Sequence, residues 1–463
     1  MNSMTSFSQS FKEKSRIKAA DLIHRNTINY NIGKYNAVVP IGKKQFSDIE
    51  FAREKAKSIK WKSLETLDVL LEKFEKQFVA RGGKVIWAET TEQACDAVLK
   101  ICREKGCKTL VKSKSMVTEE IHLNDHMEKH GIESVETDLG EYIQQLDGEP
   151  PYHIVTPAMH KSKEDVARVF NQHLNTPLDL TPEEMTLVAR EKLRHKYTQA
   201  EVGITGANFI IAETGSIAVT ENEGNARLSA SWPKTHIVIT GIEKVIPSLQ
   251  DLALFWPLLS TFGTGQQLTV YNSIISGPRQ AREENGPEEM YVILLDNGRT
   301  HVMQDPVTRE SLYCIRCGAC LNACPVYKNI GGHAYETTYS GPIGSVITPN
   351  LKEMSEWKHL SHASSLCGNC TEVCAVKINL HELLLYNRRE AVRTGKGEMM
   401  EKIAWAAWQQ SMLHRKMLNL GKAKIKNWVV NRLFKGWTNT RGELHFPEKS
   451  FNQLWREKNK SVS

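Results

Sequence analysis

The 463-residue sequence has no apolar run long enough to cross a bilayer. Its most apolar window, Leu252–Leu259, contains Pro257 and is far shorter than the roughly 20 residues that a membrane-spanning helix needs. The first residues, MNSMTSFSQSFKEKSR, lack the apolar segment of a secretory signal, so none is predicted. There is also no low-complexity tract, and the composition is that of an ordinary globular protein.

Cysteine, in contrast, is concentrated in one stretch: seven of the ten cysteines lie between Cys314 and Cys374. The first run, CIRCGACLNACPVY, has C-x2-C-x2-C-x3-C spacing followed by proline, and the second, CGNCTEVCAVKI, keeps the last three positions of that pattern. The spacing is that of bacterial ferredoxins, in which each run lends its fourth thiolate to the other [4Fe–4S] cluster. Ser364 stands where the second run would have its first cysteine.

This crossover predicts two [4Fe–4S] clusters with different ligand sets. Cluster one is expected to have four thiolate ligands, which are Cys314, Cys317, Cys320 and Cys374. Cluster two is expected to have three, which are Cys324, Cys367 and Cys370, with no fourth cysteine in this segment.

Zinc and disulfides are the alternatives for these cysteines. Structural zinc takes four ligands in tetrahedral geometry and has no use for a seven-cysteine pattern ending in x3-C-P. Disulfides are rare inside cells, and a cluster motif needs its thiols reduced, so we expect the protein in the cytosol or at the cytosolic face of a membrane. Cys95, Cys102 and Cys107 are expected to be core thiols without a functional role.

Upstream of the cysteines, short apolar strand patterns alternate with helical patterns, which predicts a parallel α/β sheet. Strands are predicted at Val85–Ala88, Thr109–Lys112 and Ser134–Thr137, and later ones continue to Met290–Leu295. Ser340–Gly344 is predicted to be a turn in an irregular connector between the cysteine runs. The expected domains are a helical lead-in (1–62), an α/β domain (63–300), a helical cluster domain (301–394) and a basic, Trp-rich C-terminal domain (395–463).

Three polar loops of the α/β domain could bind a ligand. Lys112–Ser115 precedes a predicted helix, where free N–H groups, two lysines and two serines favour an anion. Glu213–Ser216 and Glu221–Arg227 lie between apolar strands. Ordinary caps and turns remain the favoured interpretation, since such loops are common.

Positive charge is concentrated at the C-terminal end. From Tyr386 to Ser463 there are seventeen Lys and Arg against six Asp and Glu, a net charge of +11, whereas the whole chain carries +7. Five tryptophans accompany these charges: Trp405, Trp408, Trp428, Trp437 and Trp455. Such a segment can bind nucleic acid, an anionic membrane surface or an acidic protein. No nucleic-acid motif occurs in it, so docking on a protein partner is favoured, with a membrane surface second.

The motifs together resemble the lactate utilization protein B family, over nearly the whole chain. The resemblance is carried by segments such as VKSKSMVTEE, GITGANFIIAETGSIAVTENEGNARL, SLYCIRCGACLNACPVY and CGNCTEVCAVKINLHELL. It implies a LUD domain of the NagB/RpiA/CoA-transferase-like fold, an α-helical ferredoxin-like domain with two [4Fe–4S] clusters, and a helical C-terminal extension. The missing eighth cysteine is then a family trait. Two departures lie near the clusters: Ala375 stands where the family usually has proline, and Glu336–Thr338 replaces a more apolar stretch.

The resemblance implies an electron-transfer subunit of a system that oxidises L-lactate to pyruvate, passing electrons towards the respiratory chain. The other subunits of that system and a respiratory acceptor are the expected partners, and nucleic acid is not. The chain has neither a G-x-G-x-x-G fingerprint nor a convincing His/Arg pair for hydride abstraction, so whether it is itself an enzyme stays open and no catalytic residue is predicted. Two alternatives remain: an enzyme that binds a hydroxy acid at the open iron of cluster two, and a cluster-bearing regulator that binds nucleic acid.

Overall fold

The computed structural model describes residues 6–395, 399–414, 421–433 and 441–460. The chain divides into two units, Met1–Ala391 and Val392–Ser463. The described residues contain ten strands: β1 Lys84–Ala88, β2 Thr109–Lys112, β3 Glu133–Glu136, β4 Val202–Thr205, β5 Phe209–Ile211, β6 Ser216–Glu221, β7 Thr235–Gly241, β8 Val245–Ile246, β9 Tyr271–Ile275 and β10 Glu289–Leu295.

Helices precede, separate and follow these strands. In the α/β region they are α1 Phe7–Ala20, α2 Leu22–Gly42, α3 Ile49–Glu65, α4 Leu67–Val79, α5 Thr91–Glu104, α6 Met116–Glu120, α7 Leu123–Lys129, α8 Leu139–Asp147, α9 Lys163–Leu174, α10 Pro182–Gln199, α11 Asn225–Ser231, α12 Leu252–Thr264 and α13 Arg299–Gln304. Around the cysteines they are α14 Ala319–Ala323, α15 Tyr327–Ile330, α16 Gly341–Leu351, α17 Met354–His362, α18 Asn369–Glu372 and α19 Leu380–Arg393. In the second unit they are α20 Met399–Leu413, α21 Ala423–Leu433 and α22 Phe451–Lys460.

The larger sheet is six-stranded and parallel throughout, in the order β1-β10-β7-β4-β2-β3. Its central strands are buried on both faces, as parallel strands covered by helices must be. On β7, Ile237 and Ile239 pack towards α5, α6 and α7, while Val238 points to the opposite core. The α/β class predicted from the alternating pattern is therefore confirmed.

A second, mixed sheet, β8-β5-β6-β9, lies in the core on the Val238 side, with α4 and α12. The cysteine-bearing segment joins this same core, so it packs on the α/β part. The predicted turn at Ser340–Gly344 is wrong: Ser340 is the N-cap of α16, and Pro342 lies in the first turn, where its missing N–H is tolerated.

All six parallel strands end at one edge of the sheet, which we call the carboxyl edge. Ser113–Ser115 follows β2, Gly206–Asn208 follows β4, Ile242–Lys244 follows β7, and Asp296–Arg299 follows β10. In open parallel sheets ligands bind outside this edge. Contacts from Arg316 and Tyr339 show that the cysteine segment covers it.

In the second unit, the side chains of Asn427 and Asn431 on α21 bond the backbone of Phe446 and Leu444, which holds the following segment against this helix. The four described tryptophans of the C-terminal tail, Trp405, Trp408, Trp428 and Trp455, are more than half exposed. Trp437 lies outside the described residues. No helix in the described ranges is long and apolar enough to cross a membrane.

Candidate iron–sulfur site

The two cysteine runs form backbone turns of the same shape. The N–H of Arg316 points to Cys314 Sγ at 3.4 Å, and Arg316 has a φ of 63°. In the second run the N–H of Leu366 points to Ser364 Oγ at 3.1 Å, and Leu366 has a φ of 54°. A glycine with positive φ then opens both α14 and α18. Ser364 thus has the backbone position in the second run that Cys314 has in the first.

Four thiols form what we call the first thiol group: Cys314, Cys317, Cys320 and Cys374. Burial raises the pKa of Cys320, and the other three thiols are the neighbours that raise it further. Burial and then Cys374 raise the pKa of Cys317 to about 12. The N–H of Ile378 points to Cys374 Sγ at 3.3 Å. The two ends of the cysteine segment therefore meet at this group.

The second thiol group consists of Cys324, Cys367 and Cys370. Burial and then Cys324 raise the pKa of Cys370 to about 11, with Cys367 a further neighbour. Cys324 and Cys370 are buried, whereas Cys367 is exposed. The remaining cysteines of the described chain lie in the core beside α5, as predicted, and supply no fourth thiol here: Cys95, Cys102 and Cys107.

This donor set fits two [4Fe–4S] clusters. Thiolates are the ligands such clusters use, and the backbone N–H groups that point at Sγ atoms are the contacts that tune them. Cationic side chains surround the first thiol group. Arg53 donates to the carbonyl oxygen of Cys374 at 3.0 Å, and Lys60, Lys244 and Arg316 lie within the electrostatic reach of Cys314. They would offset the negative charge of bound thiolates.

A buried ion network joins the carboxyl edge to the cysteine segment. Arg299, which is fully buried, donates to both oxygens of Glu120 at 3.0 and 2.8 Å and to Glu243 at 2.6 Å. Tyr339 donates to Glu120 at 2.5 Å, and Arg316 lies 3.7 Å from the other oxygen of Glu243. Burial opposes ionisation of Glu243, but the cations outweigh it and lower its pKa to about 2.

Beside this network the carboxyl edge and the first thiol group enclose a cavity of about 240 Å³. Two of the three polar loops line it, through Ser113–Ser115 and Thr220–Glu223, and Lys244, Arg316 and Cys317 form another part of its wall. Glu213–Ser216, the third loop, is not among its lining residues; its Gly215 backbone packs against Gln77 and Phe78.

The expected helix-start anion site at Lys112–Ser115 is largely satisfied by the protein itself. Ser115 Oγ accepts from the N–H of Thr118, so the first turn of α6 is already capped. Lys112 is fully buried and pairs with Glu119 at 2.9 Å and Glu136 at 2.6 Å. Of the two lysines in the loop, only Lys114 lines the cavity.

Comparison with known proteins decides the family. Residues 71–295 match the LUD domain, and residues 310–378 match the 4Fe-4S dicluster domain. Lactate utilization protein B of Anoxybacillus flavithermus is 44% identical over 416 residues, which cover 87% of this chain and 88% of that protein. The protein of the same name from Bacillus subtilis is 40% identical, with 88% and 89% covered. The chain belongs to the lactate utilization protein B family.

Among solved structures, a DUF162 family protein from Deinococcus radiodurans is 12% identical, with 50% of this chain and 98% of that chain covered at a TM-score of 0.29. The LUD match makes the parallel-sheet region a LUD domain, and the dicluster match favours iron–sulfur over zinc at the cysteines. The mixed fold class is thereby confirmed: a LUD α/β domain, a 4Fe-4S dicluster domain and a helical C-terminal region.

Sequence reasoning missed the ion network and Lys244. Asp296–Arg299 was predicted only as a tight turn, yet it places Arg299 beside Glu120 and Glu243. The sequence does carry one signal, an arginine directly after a turn that ends an apolar strand. Glu120 and Glu243 carry none, because their burial depends on how distant strands are ordered in the sheet.

Proposed function

We propose that this lactate utilization protein B family member is the electron-transfer subunit of an L-lactate-oxidising system, relaying electrons towards the respiratory chain. The observation that carries the proposal is the pair of thiol groups inside a 4Fe-4S dicluster domain, in a chain similar over most of its length to proteins named for lactate utilization. Iron–sulfur clusters, when bound, accept and release electrons one at a time.

The ligand assignment follows the two thiol groups. Cys314, Cys317, Cys320 and Cys374 would hold cluster one, and Cys324, Cys367 and Cys370 would hold three corners of cluster two. Exposure of Cys367 puts the second group nearer to solvent, where a partner can approach. Cys317 lines the cavity, so the first group faces the LUD domain. The chain thus offers one group to a partner and the other to its own interior.

The remaining subunits of the lactate utilization system and a respiratory acceptor are the proposed partners. The basic, tryptophan-bearing C-terminal tail supports docking, because Trp and Arg are frequent interface anchors. A cytosolic location at the inner face of the membrane suits a chain whose thiols must stay reduced.

Anaerobic purification followed by iron and sulfide analysis tests the cofactor. We expect about eight irons per chain, or about seven with a three-iron signal if the corner without a thiolate is lost. Zinc with negligible iron and sulfide would exclude the proposal.

Anaerobic pull-down tests the role. The recovered complex should reduce a dye in a lactate-dependent way, whereas the isolated chain should not. If the isolated chain oxidises lactate by itself, and lactate perturbs its paramagnetic signal, the alternative of an enzyme with substrate at the open corner of cluster two replaces the electron-transfer proposal.

A further inference from the structure

The cavity at the carboxyl edge has a cationic end with unused hydrogen-bonding capacity. Arg316 has a side chain only 7% exposed, and its Nη1 has no hydrogen-bond partner among the described residues. Lys244 is 7% exposed and makes no hydrogen bond or ion pair within the described chain. Buried donors are costly to leave unsatisfied, so two neighbouring ones at a cavity wall indicate that a ligand completes them.

The opposite end of the cavity is acidic and hydrogen-bonding. Glu223 Oε2 accepts from the N–H of Leu139 at 3.0 Å, and Asp138 lies nearby. Burial and then Asp138 raise the pKa of Glu223 to about 7, so near neutrality this carboxyl can either donate or accept a hydrogen bond. Lys114, 3.7 Å from Asp138, belongs to this end.

The two ends are electrostatically separate. The charges that act on Lys244 are those of Arg316, Glu243, Cys314 and Arg299. Those that act on Glu223 come from another set, Asp138, Lys114 and Glu221. A ligand that satisfies both ends therefore needs an anionic group at one side and a neutral hydroxyl or carbonyl group at the other.

We propose that this cavity binds a small organic carboxylate, with its carboxylate at Lys244 and Arg316 and its polar substituent towards Glu223. A volume of about 240 Å³ suits a ligand of a few to about ten heavy atoms and lies below the roughly 300–1,000 Å³ of drug-sized ligand sites. In combination with the proposed function, on which this last step rests, the class narrows to a 2-hydroxy acid or its 2-oxo product.

Isothermal titration calorimetry on the full-length, anaerobically purified protein with its clusters intact tests the proposal. The probes are L-lactate, pyruvate, acetate and inorganic phosphate. We expect lactate or pyruvate to bind, acetate to bind more weakly, and phosphate to bind more weakly than the two substituted acids. Lys244→Met should weaken binding about tenfold or more, because it removes a charged hydrogen-bond donor. Glu223→Gln should weaken lactate more than acetate.

Lys234→Met is the matched control, since Lys234 is exposed and lies outside the cavity lining. It should bind as the unaltered protein does, and the visible spectrum and iron content of each variant must match the wild type. Absence of carboxylate binding, equal affinity in Lys244→Met, or tighter binding of phosphate than of any carboxylate overturns the proposal. Because titration needs neither partner nor electron acceptor, its failure is distinguishable from failure of lactate-dependent electron transfer in the complex.

Discussion

Arg299 holds two carboxylates that would otherwise be buried without a counter-ion. Glu120 and Glu243 both bond its guanidinium, and all three side chains are at most 5% exposed. Arginine suits this position because its planar fork serves Glu120 in bidentate fashion while Nε reaches Glu243. The same guanidinium therefore fixes the wall against which Arg316 and Tyr339 of the cysteine segment pack.

Arg299→Met should reduce the free energy of unfolding by about 3–5 kcal/mol, because it leaves buried charges unpaired. Urea titration under anaerobic conditions measures this. The control is Arg168→Met, which removes an exposed ion pair with Asp165 and should change stability by less than about 1 kcal/mol. Equal effects of the two substitutions would show that the Arg299 network contributes little.

Ser364→Cys should supply the thiolate that the second run lacks. The backbone around Ser364 repeats that around Cys314, so a cysteine there would extend its sulfur from an equivalent turn. We expect the variant to retain about one more iron per chain than the wild type after brief exposure to air, with a smaller three-iron signal.

Ser365→Cys is the control for this substitution, since it adds a thiol one residue out of register. If Ser365→Cys retains as much iron as Ser364→Cys, the repeat does not place a ligand at position 364.

At the scale of elements, each cysteine run contributes to both thiol groups, because α14 and α18 bring the runs together. This geometry predicts that Cys320→Ser and Cys374→Ser remove the same paramagnetic signal although 54 positions separate them. Cys367→Ser should instead affect the other signal. Spectra of the three variants check this, and a match between Cys374→Ser and Cys367→Ser would contradict the ligand assignment.

Local patterns allowed the strands and the cysteine chemistry to be predicted, whereas the cavity depended on tertiary structure. Strands such as Thr109–Lys112 follow from apolar runs between glycine-ended helices, and the capping box at Thr181 forms as expected. The helix predicted from Thr118 towards His130 is instead divided into α6 and α7 by His122, whose φ is 50°. Lys244 and Arg316 meet only because the carboxyl edge packs on the cysteine segment, which no local pattern encodes.

The whole molecule separates the cluster machinery from the C-terminal tail. All seven cysteines of the two thiol groups lie in the first unit, which ends at Ala391, while residues 392–463 form the second unit. The second unit holds exposed tryptophans and most of the excess positive charge. This division supports a tail that docks on partners and is not needed to hold the clusters. The alternative is a tail whose tryptophans stabilise the cluster domain.

Truncation after Thr394 separates these two roles, because it leaves α19 complete. We expect the truncated chain to keep wild-type iron content and cluster spectra, while co-purification with partners and lactate-linked dye reduction decrease. A full-length variant with Trp405, Trp408, Trp428 and Trp455 changed to Ser should show the same loss of co-purification, since aromatic anchors dominate interfaces. Loss of the clusters on truncation would mean that the tail belongs to the fold, and docking would then be the wrong explanation for its exposed tryptophans.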